Sequence, residues 1–175
     1  MNCMTILETA RLNLRPFSED DREELAVLMA NKDFMRFSLG ALSREQTEAF
    51  LEKVRGRDRE GLPTQFALIL RSNQRLIGFC GFFPQTVDDE EQLEVAYRLD
   101  PSYWGQGLAT EAARAVRDHA FDDLQLSHVI SLIHPDNIAS RRVAEKNAMT
   151  PEKEIIFRGF PTTVFGISRE QRNAP

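Results

Sequence analysis

The sequence predicts an α/β domain on a mixed sheet, and three observations carry that expectation. Leu93 to Leu99 alternates at period two, then passes through a turn and a two-glycine loop into an amphipathic helix pattern. Strand-like runs near 64–71 and 75–84 flank Ser72-Asn73-Gln74, a short polar link of the kind that joins a hairpin. Two further strand-like runs, near 152–159 and 162–169, meet around Gly159.

In chain order, a strand is expected near 9–16, helices near 18–30 and 43–58, and the hairpin strands at 64–71 and 75–84. A long strand near 91–99 ends at Asp100-Pro101-Ser102. Ala112, Val116 and Ala120 recur every fourth position and place a helix over about 108–121. A strand at 127–134, a helix at 136–148 and the closing strand pair complete the list, with no internal repeat, low-complexity tract or linker. The 175 residues, 42% hydrophobic, suit a single domain over 1–175 that buries about 70% of its unfolded surface.

Composition narrows the function classes. A net charge of −5 argues against a nucleic-acid partner and suits a cationic one such as an amine, although solubility alone accounts for it equally well. Cys3 and Cys80 are far apart and show neither a disulfide framework nor a metal spacing. His119, His128 and His134 are too scattered for a zinc site, so no metal is expected. The first residues lack a charged segment followed by an apolar core, and no apolar run approaches membrane-spanning length. A cytoplasmic protein without a membrane partner is the expectation.

The chemistry centres on Tyr103-Trp104-Gly105-Gln106-Gly107-Leu108-Ala109-Thr110. Glycine lets backbone N–H groups turn toward a ligand, and the following helix adds its unpaired amides and the positive end of its dipole. Strand, glycine loop and helix together make an anion cradle. A dinucleotide site uses the same order but requires a third glycine, where Thr110 stands, and an early position in the domain.

Trp104 to Ala109, with Ala112, resembles the pyrophosphate loop of the GNAT N-acetyltransferase superfamily, whose usual form is Arg or Gln, two residues, Gly, one residue, then Gly or Ala. His134-Pro135-Asp136-Asn137-Ile138-Ala139-Ser140, continuing to Lys146, is similar to the Asn-x-x-Ser-x-x-x-x-x-Lys helix of the branch that includes the ribosomal-protein alanine N-acetyltransferases. Leu7-Glu8-Thr9-Ala10-Arg11-Leu12-Asn13-Leu14-Arg15 resembles that branch too. The likeness spans about residues 7–170. Two positions depart from the pattern: Trp104 heads the loop in place of Arg or Gln, and Ala148-Met149 replaces the Gly-Phe that closes the fourth helix, near the adenine end of the site.

The resemblance implies a mixed, mostly antiparallel twisted sheet of about seven strands flanked by about four helices. It implies acetyl-CoA as acetyl donor, no metal, and a monomer or homodimer. Trp104, Gly105, Gln106, Gly107, Leu108, Ala109 and Thr110 would hold the diphosphate, and Tyr97, Arg98 and Leu99 would offer main-chain groups to the pantetheine arm along a bulged strand.

For catalysis, Glu94 is the candidate base, on the strand face opposite Leu93, Val95, Tyr97 and Leu99; the alternative is a strand glutamate facing solvent below the acidic run Asp88 to Glu91. Asn137 and Ser140, at i and i+3, share a helix face. The resemblance puts Asn137 on the pantetheine side and Ser140 near the thiol, while a helix cap and a solvated serine are the plain readings. Tyr97 is a second candidate acid, or a core tyrosine. Arg141, Arg142 and Lys146 either approach the adenosine phosphate or remain solvated. Phe34 and Phe37, between the first two helices, either form an acceptor-side lip or fill the core.

The functional expectation is an acetyl-CoA-dependent N-acetyltransferase acting on a primary amine, either a protein N-terminus or a small molecule, by direct transfer in a ternary complex. A non-catalytic acyl-CoA sensor of the same fold is the alternative. An α-amine titrates near 7.7–8.0 and a lysine near 10.4, so deprotonating lysine at neutral pH costs roughly 3–4 kcal/mol more, which slightly favours α-amines or small-molecule amines.

Overall fold

A computed structural model describes residues 6–173, so Cys3 lies outside the described residues. One eight-stranded sheet runs in the order β1-β2-β3-β4-β5-β6-β8-β7. Its strands are β1 (Leu7–Glu8), β2 (Leu12–Arg15), β3 (Gln65–Leu70), β4 (Arg75–Val87), β5 (Glu90–Leu99), β6 (His128–Ile133), β7 (Thr150–Phe157) and β8 (Phe160–Ser168). Five helices accompany them: α1 (Arg22–Ala30), α2 (Arg44–Arg59), α3 (Leu108–Asp122), α4 (Ile138–Lys146) and α5 (Arg169–Asn173). Every neighbouring strand pair is antiparallel except β5 with β6.

The strand expected near 9–16 is β2, which begins at Leu12, and the two-residue β1 upstream of it forms a hairpin with it and supplies the eighth strand. Thr9 N–H donates to Leu12 O at 2.9 Å and Leu12 N–H to Thr9 Oγ1 at 3.0 Å, so a local turn interrupts the extended run. The fifth helix is a five-residue turn after β8, whose Arg169 guanidinium donates to Leu126 O at 2.7 Å. The helix expected over 18–30 begins as a 3-10 turn over Glu19–Asp21, and the long helix over 43–58 opens on a capping box: Ser43 Oγ accepts from Gln46 N–H at 3.2 Å and Gln46 Oε1 from Ser43 N–H at 2.8 Å.

The middle strands are apolar on both faces because helices cover both. Phe66 and Leu68 of β3, Ile77 and Phe82 of β4, and Val95 and Leu99 of β5 pack with Leu108, Ala112 and Val116 of α3. Ala67, Ile69, Leu76 and Phe79 pack on the other face with Leu25, Met29, Leu51 and Val54 of α1 and α2. Asp88 and Asp89, both at positive φ, form the β4–β5 turn, and Arg158 with Gly159 forms the β7–β8 turn.

Two main-chain features position the site. The β4–β5 ladder is regular from Gly78↔Leu99 to Val87↔Glu90, so β5 carries no bulge toward β4. The irregularity falls in β4, where Leu76 and Gly78 pair with consecutive residues of β3 and Ile77 is the extra residue. The second feature is the brevity of the β5–β6 pairing, whose register is confined to Glu94↔Ile130. Beyond that point the two strands part, and β6 continues with β8 from His128↔Ser168 to Ile133↔Thr163.

Gly78 holds a φ of +150°, and a Cβ there would overlap the Arg98 carbonyl oxygen. Gly78→Ala must push β4 from β5 at the strand that carries the site, and a loss of about 2 kcal/mol or more is expected. Urea unfolding followed by circular dichroism checks it through a lowered midpoint at unchanged slope.

Candidate active site

The two-glycine loop lies between a 3-10 turn, Pro101–Tyr103, and α3. Asp100 Oδ1 caps that turn by accepting from Ser102 N–H at 2.9 Å, and Trp104 Nε1 pins the loop to β5 by donating to Leu99 O at 2.8 Å. Trp104 is thus an anchor, a role that an Arg or Gln at the head of the loop would not fill in the same way. Gly105 and Gly107 take φ of +73° and +79°, the left-handed region that favours glycine. Gly107 is the N-cap of α3 and offers no side-chain cap, so the first-turn amides at Leu108, Ala109 and Thr110 face the loop without an intrahelical acceptor. The Leu108 side chain is buried in the core, which leaves its main-chain N–H as the part that can meet a ligand.

An acid sits in this first turn, where it would oppose an anion. Arg11 and Thr9 remove the conflict: Arg11 Nε donates to Glu111 Oε2 at 2.8 Å, its backbone N–H to Oε1 at 2.8 Å, and Thr9 Oγ1 to Oε1 at 2.6 Å. Burial alone would raise the Glu111 carboxyl, but these bonds and the Arg11 charge hold it below the usual carboxylate range. Arg11 also donates to Gln106 O at 2.8 Å, and its guanidinium lies beside Gly107. Gln106 Nε2 closes the loop on Ser102 O at 3.3 Å. Arg11 and Glu111 were not singled out in the sequence as site residues; the separation of 100 positions hides the pair until β2 and α3 meet.

Where β5 and β6 part, a cavity of about 650 Å³ opens. Val95 O accepts from Ser131 Oγ and Leu99 O from Trp104 Nε1, each at 2.8 Å, so these alternate residues aim their main-chain groups away from β4. Tyr97 lies between them and shares that direction, facing the opening. The wall on this side comes from Asn137, Ser140, Val143 and Ala144, and the opposite mouth from Met35–Gly40, Phe83 and the 157–160 hairpin. The loop from Trp104 to Thr110 does not line the cavity; it stands at the far end of β5.

Glu94 lines the cavity and is only 8% exposed, so it is not a solvent-facing strand residue. The acidic run upstream is used differently, with Asp88 and Asp89 in the turn and Glu90 and Glu91 on the surface. Gln85 Nε2 donates to Glu94 Oε2 at 2.6 Å and Leu132 N–H to Oε1 at 3.3 Å. Burial pushes the carboxyl above its ordinary range, opposed by these bonds and by the charges of Arg158 and Arg98. The result is a fixed, desolvated carboxyl poised to hold or release a proton.

Arg98, on the same face, uses its side chain structurally. Nη1 donates to Phe34 O at 3.1 Å and Arg36 O at 3.0 Å and so moors the 31–39 segment over the cavity. Phe34 is buried against Phe79, whereas Phe37 is 44% exposed and stacks on His134 at 5.5 Å between centroids; the first belongs to the core and the second to the lip. His134 in turn accepts at Nδ1 from Asp136 N–H at 3.1 Å.

Asn137 is the N-cap of α4, its Oδ1 accepting from Ser140 N–H at 3.1 Å, which fixes both residues at the cavity wall. Ser140 hydrogen-bonds the Tyr97 hydroxyl; burial pushes that hydroxyl above its ordinary range, so it remains protonated. Glu94 and the Tyr97–Ser140 pair lie on opposite faces of one strand, with the opening at its edge. Arg141, Arg142 and Lys146 are exposed on α4. Gln85, Arg158 and His134 join the site without having been expected there. Gln85 is brought to Glu94 by the β4–β5 register, which no local signal in either strand reveals. Among the described residues, no cluster of His, Cys, Asp and Glu could hold a metal ion, and no helix is long and apolar enough to cross a membrane.

Residues 11–150 match the family model described as an acetyltransferase (GNAT) domain. The chain is 34% identical over 167 residues to the uncharacterised protein YkkB of Bacillus subtilis, covering 94% of this chain and 96% of that one. An acetyltransferase (GNAT family) from Bacillus anthracis superposes with a TM-score of 0.80 at 26% identity, covering 95% of this chain and 99% of the other. RimJ of Mycobacterium smegmatis in complex with a CoA disulfide shares the fold, with a TM-score of 0.78 at 18% identity over 93% of this chain and 84% of that one.

The raised Glu94 carboxyl has a thermodynamic signature. Its folded-state value exceeds the ordinary 4.5, so the native fold is relatively favoured below that pH and loses the advantage as pH rises through the folded value. Glu94→Gln, which cannot ionise, should therefore gain stability relative to the parent as pH rises from 4.5 through the folded-state value. Urea titrations of both proteins across that window measure it, and a constant difference would contradict it.

Proposed function

Since the chain belongs to the GNAT acetyltransferase family, whose chemistry is acetyl-CoA-dependent acetyl transfer, we propose that it acetylates a primary amine by direct attack of that amine on the thioester, with Glu94 as base. The observation that carries this reading is the buried Glu94 beside the β5 edge from which β6 diverges, with the glycine loop and the uncapped α3 amides at that strand's end.

The loop from Trp104 to Thr110 receives the diphosphate. Its left-handed glycines and the uncapped α3 amides supply charge-assisted hydrogen bonds worth roughly 1.5–3 kcal/mol each, and Arg11 adds a cation. From there the β5 edge at Tyr97 and Leu99 guides the pantetheine arm as an added strand would, with Asn137 and Ser140 on its other flank. Coenzyme A brings the activated acetyl group as a thioester.

Glu94, directly or through one water, takes a proton from the amine as its nitrogen bonds to the acetyl carbon. Main-chain donors of β5 stabilise negative charge on the carbonyl oxygen. As the carbon–sulfur bond breaks, the Tyr97–Ser140 hydroxyl pair donates a proton to the departing sulfur, giving the amide and the free thiol. Cys80 is fully buried and burial pushes its thiol up, so it is no nucleophile for a covalent intermediate. Transfer in a ternary complex follows.

Thiol release from acetyl-CoA, measured with peptides, polyamines and aminoglycosides as acceptors, tests the reading. Turnover should rise with pH as Glu94 ionises. Glu94→Ala should lower kcat by about 100-fold or more with CoA affinity retained, while Gly107→Val should weaken CoA binding by about tenfold or more. Tight CoA binding without turnover on any amine would establish the sensor instead.

A further inference from the structure

The protein is acidic as a whole, but the cavity is not. Glu94 is the only carboxylate among its lining residues, against Arg36, Lys53, Arg98, Arg117 and Arg158. Two of these cations are committed: Arg98 to the carbonyls of Phe34 and Arg36, and Arg117 to Asp118 at 2.7 Å and Asn147 O at 2.7 Å. Arg36, Lys53 and Arg158 are exposed at the mouth, and among the described residues none of them closes an ion pair with a carboxylate. Elsewhere the arginines divide: Arg15–Asp21, Arg22–Glu19, Arg59–Glu52 and Arg172–Asp122 are closed on acids, whereas Arg57, Arg114 and Arg169 donate to main-chain carbonyls.

The three free cations come from three elements. Arg36 projects from the 31–39 segment, with its guanidinium 5.7 Å from the Phe37 ring centroid. Arg158 caps the β7–β8 turn, 5.0 Å from the Phe157 centroid, and is near enough to Glu94 to act on its charge. Lys53 reaches in from α2. Phe83 and Phe160 line the same cavity. A polycation would meet uncompensated repulsion here, and even a simple ammonium would be disfavoured against its neutral amine. An acceptor that carries its own anion removes that repulsion and is oriented by it, with the amine directed inward toward Glu94.

We infer that the acceptor is a small amine bearing a carboxylate or phosphate group, an amino-acid-like molecule whose anion is held by Arg36, Lys53 and Arg158. This rests on the acetyltransferase reading above. Each charge-assisted bond to the anion corresponds to a gain of about 10- to 100-fold in kcat/KM over a neutral analogue.

The experiment compares kcat/KM at low and high salt for free amino acids against their C-terminal amides, for phosphoethanolamine against ethanolamine, and for a polyamine. CoA affinity is measured alongside by calorimetry. Anionic acceptors should win by tenfold or more, with the margin shrinking as salt rises; the carboxylate and phosphate arms tell which anion is preferred. Arg158→Glu with Lys53→Glu should invert the order in favour of the polyamine while CoA affinity holds, a reversal that a folding defect cannot produce. Turnover with equal preference for neutral or cationic amines would overturn this inference alone. CoA binding with no turnover on any amine would overturn it together with the acetyltransferase reading, as would failure to bind CoA.

Discussion

The parting of β5 and β6 after Glu94↔Ile130 is the constraint on which the rest of the site depends. A parallel pair buried between helices normally continues for several residues, because each further rung satisfies main-chain groups that water cannot reach. Here β6 keeps its full ladder with β8 and β5 its full ladder with β4, so the cost is confined to one edge of one strand. That edge carries amides at Tyr97 and Leu99, begins beside the Glu94 carboxyl and ends at the glycine loop. One topological fault thus places a buried carboxyl, an edge of β5 that β6 leaves unpaired and the N-terminus of α3 behind its glycine loop in line.

Charge is managed locally in two opposite ways along that line. At the glycine loop, Glu111 puts a negative charge in the first turn of α3, and Arg11 with Thr9 neutralises it through bonds of 2.6–2.8 Å. The N-terminal hairpin is therefore part of the site: the turn that splits the first strand presents Thr9 and Arg11 to α3. At the cavity, Glu94 closes no direct ion pair among the described residues. Gln85, a neutral donor, fixes its orientation without supplying a cation, which is what allows burial to raise the carboxyl.

Much of this architecture was legible in the residues. Period-two alternation located β5, the glycine pair located the left-handed turn that opens α3, and the i, i+3 spacing of Asn137 and Ser140 placed both on one wall. What the pattern did not reveal was set by tertiary contact. The split of the first strand needs Thr9 to bond Leu12, and the short α5 needs Leu126 O as an acceptor for Arg169. Whether Glu94 faced water or the interior was undecidable from alternation alone, because both faces of β5 are covered near its middle and only packing distinguishes them. Gln85 comes from the adjoining strand of the β4–β5 hairpin, brought in by its register, while Arg158 comes from the β7–β8 turn far along the chain.

The alternation that hides Glu94 also explains why the site tolerates a buried acid. On β5, Val95 and Leu99 commit one face to the α3 core, which fixes the register and forces Glu94 and Arg98 to the other face. That face is closed by α1 and α2 only as far as Phe79 and Phe83; beyond them the 31–39 segment takes over, held by the Arg98 guanidinium. Arg98 therefore both offsets the charge of Glu94 and shapes the lip above it. A shorter or neutral side chain at that position would release Phe34 O and Arg36 O together and let the lip move away from the carboxyl. The buried carboxyl of Glu94 and the lip above it are thus fixed by residues of a single strand.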